Sequence, residues 1–130
     1  MSVNSYKHND LENAKMVEPL EQVINGLNAE MKQRHIRRLR KGKCTIELGW
    51  VLQDLLTNIE RVSDHCSNIA ICMIEVKDDE FDAHSYLETL KENDFKWYKH
   101  AIYVYKDTYA LPENVIDEEE TVVKIEKEQK

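Results

Sequence analysis

The sequence predicts an all-α protein, an antiparallel up-down-up three-helix bundle, on three observations. Only three glycines and two prolines occur in 130 residues, too few for the frequent turns of an all-β chain. Leu48, Leu52, Leu55, Ile59, Val62, Cys66, Ile69 and Met73 step by 4, 3, 4, 3, 4, 3 and 4 residues, an unbroken heptad seam. Apolar stripes of helical period precede and follow that seam. Long helices joined by short links pack as antiparallel neighbours, and a third helix hides a stripe that two alone leave bare.

Residues 1–9 read as a polar lead, and Asp10 as the cap of a helix starting at Leu11. Pro19 falls inside the pattern and either kinks this helix or starts a new one at its first turn. Leu20, Val23, Ile24, Leu27 and Met31 then recur at helical spacing, and Gly42 is a good stop, so the first helix is expected over about 11–41. Its end, KQRHIRRLRKGK at 32–43, holds seven basic residues and no acid. That run is either a patch for nucleic acid or anionic lipid, or a basic helix end set against the macrodipole and solvated or paired with acids. The second reading is preferred.

The seam defines a second helix over about 45–75, with Thr45 as its cap. At about 1.5 Å per residue it exceeds roughly 40 Å, so its partners must also be long. Residues 76–82, VKDDEFD, read as a polar connection to a third helix over about 82–109. Leu87, Leu90, Trp97, Ala101 and Val104, with Tyr98, Ile102 and Tyr105 beside them, form its stripe. Tyr103 to Tyr105 favour strand, but period and length outvote them, and the aromatics read as core rather than as a cofactor box. Leu111 and Pro112 follow. Residues 113–130 carry seven acids and three lysines and are expected to be mostly disordered, which confines the bundle to 10–112.

A net charge of −7 favours solubility and argues against nucleic acid as the main partner. The longest apolar run, IAICMI at 69–74, is far short of the roughly 20 residues of a membrane helix. The first ten residues are polar, unlike a signal peptide, so a soluble intracellular chain is expected. Cys44, Cys66 and Cys72 show no CxxC or CxxH spacing and read as reduced thiols, two of them packing as small apolar groups.

The stretch ERVSDH, residues 60–65, carries the candidate chemistry. With Leu52, Ile59, Cys66 and Met73 at heptad position a, Glu60 falls at b and Asp64 at f. Both then face outward, one turn apart, where like charges repel slightly and contribute nothing structural. Taking Leu20 and Leu27 as seam residues places Glu21 and Asn25 in the same relation on the first helix. Side by side, Glu21, Asn25, Glu60 and Asp64 would form the oxygen-rich patch that hard cations need. Such spacing arises by chance in many acidic helices, so by itself it favours a solvated face. His65, at the seam's edge, reads first as a hydrogen-bonding group within the bundle and second as a metal neighbour.

The run LLTNIERVSDHCSNIA, 55–70, resembles the signature helix of the PhoU family, close to ER-x-x-DH-x-x-NIA. NDLENAKMVEPLEQVINGL, 9–27, resembles the first helix of a PhoU repeat. RHIRRLRKGKCTIELGWVLQDLLTN, 34–58, and DDEFDAHSYL, 78–87, look closest to one branch: the C-terminal cytoplasmic PhoU-like region of bacterial sodium/phosphate cotransporter-type proteins. The resemblance covers about residues 9–112. It implies three-helix bundles, usually two per chain, and metal clusters held by E(D)xxxD motifs on the first two helices. Glu60 and Asp64 match the second motif and Glu21 the start of the first. Asn25 stands where the first motif ends in a carboxylate, and Asn58 where many members carry Asp. Each offers a neutral oxygen, which weakens a multi-cation site. Iron, zinc or magnesium are the candidate ions.

The function so implied is regulatory: a PhoU-like domain on the cytoplasmic face of the inner membrane, modulating phosphate uptake by an associated transporter. The partner would be that transporter or the chain's own missing membrane domain, since the part that precedes this region in such transporters is lacking and the chain looks like a fragment. A homodimer is a further expectation, because two-bundle chains pair one repeat with another. The alternatives are a metal-free helical interaction module and a free-standing phosphate-signalling protein. Enzyme readings fare poorly. The residues three before His8, His35, His65, His84 and His100 are Ser5, Lys32, Val62, Phe81 and Trp97, so no Glu-x-x-His pair exists for a di-iron bundle. Ser63 lies near bases but in no nucleophile elbow, and no glycine loop cradles phosphate.

Overall fold

The computed structural model describes residues 1–77, 86, 88 and 96–113, and among these no strand occurs. The helices are α1 (Ser2–His8), α2 (Leu11–Lys15), α3 (Val17–Arg40), α4 (Ile46–Lys77) and α5 (Lys96–Thr108). Tyr86 and Glu88 are helical as well. The expected Leu87 and Leu90 contacts and the tail from residue 114 lie outside the described residues.

Residues 1–9, read as a polar lead, are helical over most of their length. They form α1, which ends where Asn9 turns left-handed at φ 53°. The Asp10 N–H then closes on the Ser5 carbonyl at 3.0 Å and the Asn9 N–H on that of Tyr6 at 3.4 Å. Asparagine tolerates this conformation better than most residues. Asp10 at once opens α2, its Oδ1 accepting the Asn13 N–H at 3.0 Å. The Ser2 hydroxyl donates to the Cys66 carbonyl at 3.2 Å, and Ser5 is wholly buried, so α1 is docked on α4.

The single helix expected over 11–41 is two. Pro19 has no N–H to offer the Lys15 carbonyl, and its ring crowds that group, so α2 stops at Lys15 and α3 begins after Met16. Pro19 then occupies the first turn of α3, where a missing N–H is tolerated. At the other end Gly42 adopts φ +66°. The N–H of Gly42 bonds the Leu39 carbonyl at 3.0 Å and that of Lys43 the Arg38 carbonyl at 2.9 Å, a Schellman closure. Arg37, Arg38 and Arg40 sit in this last turn, where cations complement the macrodipole. The Thr45 hydroxyl accepts the Leu48 N–H at 3.3 Å and caps α4.

Helices α3 and α4 run antiparallel. Ser67 of α4 bonds Glu18 of α3, the Leu56 carbonyl accepts from Asn28, and Gly49 abuts His35, so contacts advancing along α3 retreat along α4. On its other side α3 packs against α5. Tyr98 lies in the electrostatic reach of Glu18 and Glu21, while the Pro112 carbonyl accepts from Arg34 Nη1 further along α3. On α5, Tyr98 and Ala101 are buried and Ile102 and Tyr105 half-buried, whereas Trp97 and Val104 lie at the exposed edge. Trp97 meets Tyr98 edge-to-face, ring centroids 5.7 Å apart.

The heptad seam of α4 is not its buried face. The buried residues are Leu56, Ser63, Ser67, Ala70 and Ile71, whereas Leu48, Leu55, Ile59, Val62 and Ile69 are exposed. At about 100° per residue the buried set clusters around one direction and the seam lies roughly a quarter turn away. Small side chains explain the choice. Ser63, Ser67 and Ala70 let the neighbouring helices approach closely, and Ala14, Val17 and Ala70 form a core cluster with Cys66, Met73 and Ile74 against it. Leu56, 1% exposed, and Val23 are the largest fully buried aliphatic side chains.

Candidate functional site

Helix α4 presents three sectors. One is buried against α2 and α3. Glu60 and Asp64 lie exposed one turn apart on the side of it away from the seam, although the seam from which their outward heptad positions were reckoned is not itself buried. The exposed seam lies beyond the other edge.

The four candidate ligands are not brought together. Glu21 is only 8% exposed, and its carboxylate accepts amide N–H groups from Asn25 and Gln22. Asn25, its amide nitrogen so engaged, leaves Oδ1 buried without a hydrogen-bond partner. That stray oxygen suits a cation or a water, but Glu60 and Asp64 stand on the exposed flank of another helix. Among the described residues, no group of three or more His, Cys, Asp or Glu side chains could hold a metal ion. Glu21, Glu60 and Asp64 therefore do not fit a shared metal cluster in this arrangement.

What the structure does assemble is a buried polar joint at the start of α3. Glu18 is 8% exposed and accepts from the Ser67 hydroxyl at 2.7 Å and from Gln22 Nε2 at 3.3 Å. Lying in the first turn of α3, its carboxylate also faces the positive end of that helix. Burial pushes the Tyr98 phenol up from 10.0 to about 12, with Glu18, Glu21 and Tyr86 adding to the effect. Burial, with Glu18 and Glu12, raises Tyr86 too. Negative charge already stored here opposes a second anion. Glu18 and Ser67 went unnoticed in the sequence; Ser63, Ser67 and Ala70, small residues one helical turn apart, are the pattern that marks this face.

At the opposite end of the helix pair, His35 is buried, its Nδ1 3.4 Å from the Cys44 sulfur, while its Nε2 lies against Gly49. A Cβ at Gly49 would stand 2.6 Å from Nε2, so the ring fits only because residue 49 is glycine. In the basic run Arg34 pairs with Glu30 and with the Pro112 carbonyl. It thus serves partly to tie α3 to the segment after α5. His65 is exposed on α4 and lines a groove of about 660 Å³ with Ile69, Met73 and Val76.

Two apolar grooves flank α1. One, of about 440 Å³, runs between Leu20 and Ile24 of α3 and Leu55, Ile59 and Val62 of α4. The other is the groove that holds His65. Both use the exposed seam as a wall. No described helix is long and apolar enough to cross a membrane.

Residues 1–73 match the PhoU domain family, a span that contains α1 to α3, most of α4 and all four candidate ligands. No curated protein and no solved structure matches the chain.

Proposed function

Because the chain belongs to the PhoU family, we propose that it is a regulatory domain that modulates phosphate uptake by a sodium/phosphate cotransporter-type membrane protein. It would act from the cytoplasmic face, as a single PhoU-like repeat folded into an antiparallel up-down-up three-helix bundle. The observation that carries the reading is the family match over residues 1–73. A role in phosphate-transport regulation or signalling follows from the family, as does regulation rather than catalysis. The antiparallel α3–α4 pair, and α5 reaching from Tyr98 beside Glu18 towards Pro112 beside Arg34, support the bundle.

A rigid helical domain biases a transporter by binding its conformational states with different free energies. Coupling of about 1–3 kcal/mol changes an affinity by roughly 5- to 150-fold. The test is the initial rate of phosphate uptake by vesicles carrying a cotransporter-type protein, with and without the purified chain on the cytoplasmic side. A several-fold change is expected, and uptake indifferent to saturating chain refutes the proposal.

The absence of a three-ligand group among the described residues favours a second reading, a metal-free interaction module. Metal enters the first reading only as a surface property of Glu60 and Asp64, and a hard cation needs more oxygens than two side chains supply. Elemental analysis of the wild type beside Asp64→Ala separates the readings. Iron, zinc or magnesium lower in the variant supports the metal-bearing one; equal content dismisses it.

A further inference from the structure

The turn between α3 and α4 is the most positive part of the molecule among the described residues. Residues 32–43 hold seven basic side chains and no acid, and the nearest acids along α3 and α4 are Glu30, Glu47 and Asp54. Seven against three leaves an excess of four positive charges. Lys106 and Asp107 at the end of α5 cancel. The negative end of the α3 macrodipole and the positive end of that of α4 meet here and cancel as well, each about half a charge. Arg37 and Arg40 are exposed and Arg38 is half-buried. Arg34 fixes what comes next to this surface. Its Nη1 donates to the Pro112 carbonyl, so the chain that follows α5 sets out beside the basic end of α3.

We propose that this basic end of α3 is the docking surface for the chain's own acidic segment, ENVIDEEE at 113–120. Charge is the first reason. Glu113, Asp117, Glu118, Glu119 and Glu120 come with no base among them, and Lys124, Lys127 and Lys130 all follow later. Five negative charges thus face an excess of four positive ones. Reach is the second reason. At no more than about 3.6 Å per residue, Asp117 can stand up to roughly 14 Å from Glu113. Arg37 and Arg38 lie one turn beyond Arg34 and Lys41 two, about 5 and 10 Å along the axis of α3. The acids therefore span the basic end, and pairing by charge requires no helix or strand of them. Tethering is the third reason. A segment fastened this close acts at an effective concentration in the mM range, well ahead of a more dilute anion or a second copy. One exposed ion pair contributes little, but several between surfaces of opposite sign act together. Docked there, the segment closes this end of α3 to other anions, lipid headgroups among them.

The test is nitrogen-15 NMR of the full chain beside a variant that combines Asp117→Asn, Glu118→Gln, Glu119→Gln and Glu120→Gln. Spectra are taken at about 20 mM and about 500 mM NaCl, between which the screening length falls from about 20 Å to about 4 Å. At low salt the Arg38 and Arg40 Nε–H signals are expected to differ between wild type and variant. At high salt they are expected to coincide. A control with Glu60→Gln and Asp64→Asn, exposed acids on the flank of α4, is expected to leave both signals at the wild-type position. Wild-type and variant signals that coincide at low salt overturn the proposal, whether or not phosphatidylglycerol vesicles then prove to bind this end. A control that moves the signals as far as the variant does overturns it too. So does a difference that fades on dilution, because the occupant is then a second copy. The phosphate-uptake test does not depend on this contact, so failure here leaves that test untouched.

Discussion

Ser67→Ala removes the hydroxyl that donates to the buried Glu18 carboxylate at 2.7 Å. A hydrogen bond to a charged group contributes about 1.5–3 kcal/mol, and a buried acceptor stripped of its donor keeps the cost of its lost hydration. Gln22 Nε2 still reaches the other carboxylate oxygen at 3.3 Å, which holds the expected loss to about 2 kcal/mol. In a Glu18→Gln background the same hydroxyl faces a neutral amide oxygen, where a bond contributes only about 1 kcal/mol. Glu18→Gln alone is milder, because losing the favourable charge at the start of α3, about 0.3–1 kcal/mol, is partly offset by no longer burying an anion. The two substitutions should therefore couple by about 1 kcal/mol. Urea unfolding of the four proteins at neutral pH, followed by helical circular dichroism, measures the cycle. Additivity within about 0.5 kcal/mol would refute the claim that this pair ties α3 to α4.

Leu56→Ala, at the largest fully buried side chain, should cost about 2–5 kcal/mol in the same unfolding assay. Tyr98, with a phenol pKa raised from 10.0 to about 12, adds stability that is complete below pH 10 and is lost as pH rises towards 12. Unfolding free energy should fall over that window by about 1.4 kcal/mol per pH unit from this group, and Tyr98→Phe should flatten the decline. Gly49→Ala should destabilise by about 1–3 kcal/mol through collision with the His35 ring. With His35→Ala the obstacle is gone, and the same substitution should stabilise by up to about 1 kcal/mol through helix propensity; unchanged sign in that background would exclude the ring as the cause.

Punctuation was the most legible part of the sequence. Asp10, Pro19, Gly42 and Thr45 each mark a helix boundary through a local rule: a side-chain acceptor, a missing N–H, a left-handed φ. Asn9 escaped notice because the α1 closure needs only one residue tolerant of positive φ, and a single asparagine is a faint mark. The face of α4 was misjudged for a different reason. Apolar bulk picks out the heptad seam, but the tightest packing belongs to Ser63, Ser67 and Ala70, which hydropathy ranks low. Of the site, the exposure of Glu60 and Asp64 matched the expectation, though the helical phase behind it was reckoned from a seam that is itself in solvent. The burial of Glu21 did not, because it depends on what α3 packs against rather than on its own register.

The interruption at Met16 divides the chain mechanically. Everything ahead of it hangs on α4 by short-helix contacts, while Glu18 just behind it clamps the long helices. Thermal fraying that starts at Met1 therefore meets a firebreak: the opening segment can peel away and bare the flank of Ala70 without prising α3 from α4. Amide exchange should accordingly be fast through the first fifteen residues and drop abruptly after Pro19.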